Sequence, residues 1–234
     1  MHPELDYAKY IVPLVIATDD GSGKSRIIRY AGVAFFLRQK GWIATCKHVV
    51  RECGINEMLL AKNLLTGEYA RIYDAHTTAN QDFAACRISE SWDHEFLPLC
   101  STSQTLGADV QVLGFTNRGL SENNLIIEAR LVKGYISQQS GIPTTSDSIS
   151  TLEFSFPSLK GFSGSPVISV LTHEVVGMLF TNHEVSIELF KFSEVQDNHK
   201  IYEESVHRVI EYGLAHSAND IRQFLKQLNV EKVA

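Results

Sequence analysis

The chain has 234 residues, 44% of them hydrophobic and 21% charged. That is an ordinary globular composition with length for one large all-β unit or two small ones, and it excludes a disordered or fibrous chain. A net charge of −6 lacks the basic field of a nucleic-acid binder, no apolar run approaches the roughly 18 residues of a membrane span, and the N-terminus lacks the basic-then-apolar order of a secretory signal.

Residues 1–10 are polar and read as a short helix or a loose arm. Residues 11–18 form a first strand and residues 19–25 a turn. Gly21, Gly23, Lys24 and Ser25 faintly resemble a phosphate loop, but the spacing is absent and no helix signal follows. Residues 26–38 and 42–46 predict a hairpin around Gln39-Lys40-Gly41. Residues 57–63 and 68–73 predict a second around Leu65-Thr66-Gly67. Asp82 heads an apolar stretch that runs to Ile88. About six strands by residue 98 are enough for one small antiparallel barrel.

Residues 96–107 read as a linker. The second half repeats the style, with strands expected at 108–115, 125–138, 150–156, 166–170 and 175–181. The polar patch 139–148 reads as a loop. The charged stretch 183–210 reads as a solvated insertion, a hairpin plus loop. Residues 211–215 form a last strand. Ser217 then caps a helix with Asp220 in its first turn and Ile221, Phe224, Leu225 and Leu228 on one face.

Four cysteines, at 46, 53, 86 and 100, form no CxxC pair, and with no secretory signal they read as free thiols. Nine histidines are scattered without metal-ligand spacing, so no metal and no cofactor is expected.

Three stretches carry chemistry. Gly161-Phe162-Ser163-Gly164-Ser165-Pro166 is a tight turn presenting one serine before an apolar strand. A serine hydroxyl needs a base beside it. The oxyanion it creates needs fixed donors, which the backbone N–H groups of Gly161 and Ser163 would supply if the loop curls around that point. Ile43 to Val50 is an apolar strand end delivering His48, and Asp82 opens another. The chain order is His, Asp, Ser, each at the edge of a strand.

Those residues resemble the chymotrypsin/trypsin-fold serine peptidases, and most closely the disulfide-free HtrA (Deg)-like peptidase domain. Thr45-Cys46-Lys47-His48-Val49-Val50 is similar to the family's T-A-x-H-V-V, Asp82-Phe83-Ala84-Ala85 to D-[IL]-A-[LV], and the Ser163 turn to G-[ND]-S-G-[GS]-P. The resemblance implies an all-β fold of two six-stranded antiparallel β-barrels with a C-terminal helix. Residues 1–100 would carry His48 and Asp82, and residues 101–234 would carry Ser163. No room is left for an appended PDZ domain.

The implied activity is that of a cytoplasmic serine endopeptidase acting on protein or peptide substrates. Ser163 would be the nucleophile, His48 the base and Asp82 its orienting carboxylate. Pro157 and Ser158 would lie at the base of the primary pocket, with Phe180, Thr181, Asn182 and Gly213 on its walls, selecting apolar side chains of small to medium size. Two other readings stand beside this one. One is a catalytically silent module of the same fold that binds a peptide or partner protein. The other is a peptidase locked until a partner or ligand orders its loops. The sequence departs from the family at Phe162, where digestive-type enzymes place an aspartate that pairs with a newly cut N-terminus. Cys46-Lys47 likewise replaces the small pair before the histidine.

Overall fold

Apolar stretches, some alternating with polar residues and some buried throughout, are punctuated by glycine turns and build most of the molecule as strands. The computed structural model describes residues 6–19, 25–89, 92–121, 124–143, 148–195 and 201–230. The strands of the first half are β1 (Ile11–Asp19), β2 (Ser25–Phe36), β3 (Trp42–Thr45), β4 (Glu57–Lys62), β5 (Tyr69–Thr77) and β6 (Ala84–Ile88). They close into an antiparallel barrel in the order β1-β2-β3-β6-β5-β4. The second half supplies β7 (Asp109–Ser121), β8 (Asn124–Pro143), β9 (Ser148–Phe154), β10 (Pro166–Ser169), β11 (Val175–Val195) and β12 (Ile201–Ser217). These close as β10-β11-β12-β9-β8-β7. Among the described residues two α-helices accompany them, α1 (Lys47–Arg51) and α2 (Ala218–Gln227).

The fold is therefore the expected double barrel. Phe35, Phe83, Ile43 and Leu14 fill the first barrel, and Phe154, Ile136, Ile168 and Met178 the second, each at most 1% exposed. Burying one such side chain contributes roughly 1.5–3 kcal/mol. The connecting segment docks on the second barrel before it enters it. Cys100 N–H donates to Val175 O and Val175 N–H to Pro98 O, both at 2.8 Å. Arg222 of α2 donates to the carbonyls of Leu99 and Cys100. As expected, Ser217 caps α2, its hydroxyl accepting the Asp220 N–H at 3.2 Å.

Several local expectations change. Residues 139–143 are strand, not loop. They continue β8 and pair with β9 from Gln139↔Leu152 to Pro143↔Ser148, because β9 offers them a complete ladder. The rest of that patch, 144–147, lies outside the described residues, as do 20–24 of the first turn and 1–5 of the N-terminal arm. The arm's described part is a 3-10 turn at Tyr7–Lys9. The insertion at 183–210 is a two-stranded ribbon that prolongs β11 and β12, paired from Thr181↔Leu214 out to Val195↔Ile201, with 196–200 outside the described residues. One ribbon face carries Val185 with Ile210, Ile187 with Arg208 and Phe190 with Val206. The other carries Glu184 with Glu211, Glu188 with His207 and Lys191 with Ser205. Even the apolar face stands in solvent, with Phe190 59% and Val206 52% exposed. No helix among the described residues is long and apolar enough to cross a membrane.

Candidate active site

Pairing of β3 with β6 brings Thr45 opposite Ala84. His48, three residues beyond Thr45, and Asp82, two before Ala84, therefore meet at one rim of the first barrel. His48 does not sit at a strand end as expected. The chain leaves β3, passes Cys46 in extended conformation and turns into α1. This start leaves the His48 N–H without a helical acceptor. Asp82 takes it: Oδ1 accepts that N–H at 2.8 Å, while Oδ2 makes a short hydrogen bond with His48 Nδ1. One carboxylate thus fixes both the backbone and the ring of His48.

The electrostatics follow the contact. The hydrogen bond from Asp82 raises the His48 pKa above the ordinary histidine value, against the opposing effect of burial, and the Asp82 and Glu52 charges add to the rise. Burial pushes the Asp82 carboxyl up, but the hydrogen bonds from the His48 ring and backbone outweigh it, and the net shift is downward. The pair is an aspartate holding an imidazole that protonates readily. Nδ1 is occupied, and Nε2 makes no hydrogen bond among the described residues.

Ser163 comes from the second barrel, in the turn before β10. Gly161 and Gly164 adopt φ of +98° and +89°, where a side chain is strained. Space also excludes one. A Cβ on Gly161 would lie 2.7 Å from Phe115 O, and one on Gly164 would overlap the Val33 carbonyl. The loop is held from several sides. The Tyr30 hydroxyl donates to Gly161 O at 2.8 Å. Val33 N–H donates to Ser163 O at 2.9 Å, and Gly164 N–H to Leu179 O at 2.8 Å. Phe162 is 1% exposed, and its ring lies so close to Gly114 that a Cβ there would sit 2.6 Å away. An apolar anchor thus stands at the position where digestive-type enzymes place an ion-paired aspartate. The N–H groups of Gly161 and Ser163 have no acceptor among the described residues.

His48 and Ser163 line one open cleft of about 840 Å3 between the barrels, with Ser158, Phe180, Thr181 and Asn182. No hydrogen bond joins Ser163 Oγ to His48 here. Of the residues expected to form the primary pocket, Pro157 and Gly213 do not line the cleft. Gly213 instead packs against the neighbouring segment, its N–H donating to Phe156 O at 2.6 Å. The two walls are clasped together: Asn182 Oδ1 accepts the Ser158 N–H at 2.5 Å, and Nδ2 donates to Ser158 O at 3.1 Å.

Cys46 Sγ, a His48 ring nitrogen and an Asp82 oxygen lie within 4.8 Å of one another. The donor set does not suit a metal. Burial, then the Asp82 charge, drives the Cys46 thiol well above its ordinary pKa, and its proton is directed at Leu179 O, 3.2 Å away. A thiol must be deprotonated to ligate.

Sequence reasoning missed His216. It is buried in β12, and its Nε2 accepts the Asp82 N–H at 3.2 Å across 134 residues of chain. Its ring stacks on Phe180, with centroids 4.2 Å apart. A histidine in the otherwise apolar run Leu214-Ala215-His216 was the available signal, but a lone strand histidine names no partner. Tyr30 was missed for the same reason.

No curated protein matches the chain at significant similarity. A family model, the trypsin-like peptidase domain, matches residues 32–178. That span starts in β2, ends in β11 and contains His48, Asp82 and Ser163 in the order the two barrels impose. With the double barrel around it, this match places the chain in the trypsin-like peptidase domain family.

Proposed function

We propose that the protein is a serine endopeptidase that cleaves peptide bonds through a covalent acyl-enzyme. The observation that carries this reading is the grip of Asp82 on both the ring and the backbone of His48, beside a cleft that also presents Ser163. His48 Nε2 takes the Ser163 proton as Oγ attacks the scissile carbonyl carbon. The carbonyl π bond opens, and the resulting oxyanion sits between the N–H groups of Gly161 and Ser163. The imidazolium then gives its proton to the leaving amine as the C–N bond breaks. Water, activated by His48 in its turn, hydrolyses the ester and releases Ser163. Asp82 stays ionised throughout and stabilises the imidazolium. The Ser163–His48 hydrogen bond forms on substrate binding, as catalytic hydrogen bonds are often long without substrate.

Specificity follows from the clasp. In this reading the Asn182 amide, bonded to the Ser158 backbone, shortens the pocket for a long substrate side chain. Cleavage is expected after small apolar residues such as Ala or Val. Neither Pro157 nor Ser158 is acidic, and Glu52 and Glu184, which line the same cleft, would have to reach the bound side chain to favour Lys or Arg. Profiling cuts in a mixed peptide library by mass spectrometry reads this directly, and dominant cleavage after Lys or Arg would refute it.

The mechanism is tested with a fluorophosphonate, which labels only an activated serine. Wild type should be labelled at Ser163, and Ser163→Ala and His48→Ala should each abolish it. Unlabelled wild type, or equal labelling of all three, refutes the reading.

A further inference from the structure

His216 takes no part in the steps above, yet it is the second histidine on Asp82. It is 4% exposed. On β12 it pairs with Met178 of β11 and Thr151 of β9, and its ring covers Phe180. Because Nε2 accepts the Asp82 N–H, the proton of the neutral ring sits on Nδ1. Nδ1 is buried and has no hydrogen-bond partner among the described residues. A buried donor without an acceptor is destabilising. Packing alone does not explain the ring, since Phe or Leu would cover Phe180 without that penalty. What only a side-chain acceptor supplies is the hydrogen bond to Asp82.

We propose that His216 is a positioning residue for Asp82: as neutral imidazole it holds the aspartate backbone so that the carboxylate meets His48 squarely. This rests on the proposed role of the His48–Asp82 pair. His216 does not line the cleft. The charged groups that face it are Asp82, from the segment before β6, and Lys47, from α1. The Lys47 ammonium is itself held by the carbonyls of Thr78 and Ala79. A protonated ring would turn Nε2–H against the Asp82 N–H and lose the bond. Burial, only partly offset by Asp82, lowers the His216 pKa to about 4. The support therefore stays in place throughout the range in which His48 titrates.

The test compares His216→Phe, which keeps the ring stack without an acceptor, with His216→Gln, whose Oε1 can reach the place of Nε2. In the full chain, His216→Phe should lower the fluorophosphonate labelling rate roughly tenfold, as small misplacements of catalytic groups do. It should also move the rising limb of the pH profile downward, because His48 loses part of its carboxylate partner. His216→Gln should recover most of the rate and the limb. A wild-type rate and limb in His216→Phe overturns the proposal, and so does equal impairment of the two variants. If His216→Phe melts early, His216→Leu replaces it with the same expected outcomes. The same substitutions in a Ser163→Ala background, followed by the proton resonance of the His48–Asp82 hydrogen bond, give a readout independent of labelling. Displacement of that resonance by Phe and its return with Gln support the positioning role even if Ser163 proves not to be the nucleophile. An unmoved resonance overturns it.

Discussion

The two barrels have the same number of strands but spend them differently. In the first barrel no strand exceeds the 12 residues of β2, and its hairpins turn back at the rim. In the second, β8 and β11 run to 20 and 21 residues and pass far beyond it. The first barrel holds the His48–Asp82 pair through one register, Thr45 opposite Ala84. The second carries the Ser163 turn and an amphipathic ribbon whose apolar face meets no core. An isolated two-stranded ribbon is marginal in water. Stability and the site geometry therefore reside inside the barrels, and the ribbon is added surface. The lesson is that strand length alone does not mark core, since pairing continues wherever two chains can form a ladder.

The largest expected effect is at the junction of the barrels. Asp82→Asn keeps the shape but can present an N–H to His48, favouring the wrong tautomer. Labelling of Ser163 should fall by roughly 10^3–10^4-fold with thermal stability little changed. A fall of less than tenfold would show that the first barrel does not set the base. Next comes the anchor of the Ser163 turn. Phe162→Ala empties the space over Gly114 and should cost about 3–5 kcal/mol by denaturant unfolding. A cost near zero would mean the turn is held by Tyr30 and the backbone alone.

The two histidines on Asp82 should titrate with opposite consequences. His216 has its pKa lowered to about 4, so the fold disfavours its protonation. Stability should be lost as pH falls from the ordinary histidine value of about 6.5 toward 4, on the order of 3 kcal/mol in all. His48 has its pKa raised. Its contribution is fully present below the ordinary value and is lost as pH rises through the raised one. With His48 as the proposed base, activity should rise through that raised value, above about 6.5. Labelling that is flat from pH 5 to 8 would remove His48 as the base. The smallest effect is expected on the ribbon. Phe190→Ser with Val206→Ser should change stability by less than about 0.5 kcal/mol. A larger loss would show that the ribbon's apolar face is part of the folded unit.

Much of this was legible in the residues, because its causes are local. The glycines at 161 and 164 announced a turn that only glycine can make. Ser217 announced a helix start, and the apolar runs between turn residues announced the strands. The residue types and order of His48, Asp82 and Ser163 pointed to one chemistry. What stayed hidden depends on how the barrels close. The sequence does not say that β9 would extend β8 through a polar patch, or that His48 would sit on a helical turn. Nor does it say that Phe162 would find Gly114, that Asn182 would clasp Ser158, or that His216 would reach Asp82 from 134 positions away. Local propensity is written in neighbouring residues. Contacts across a closed barrel depend on the register of every strand between them, and that register is settled only when all the strands pack together.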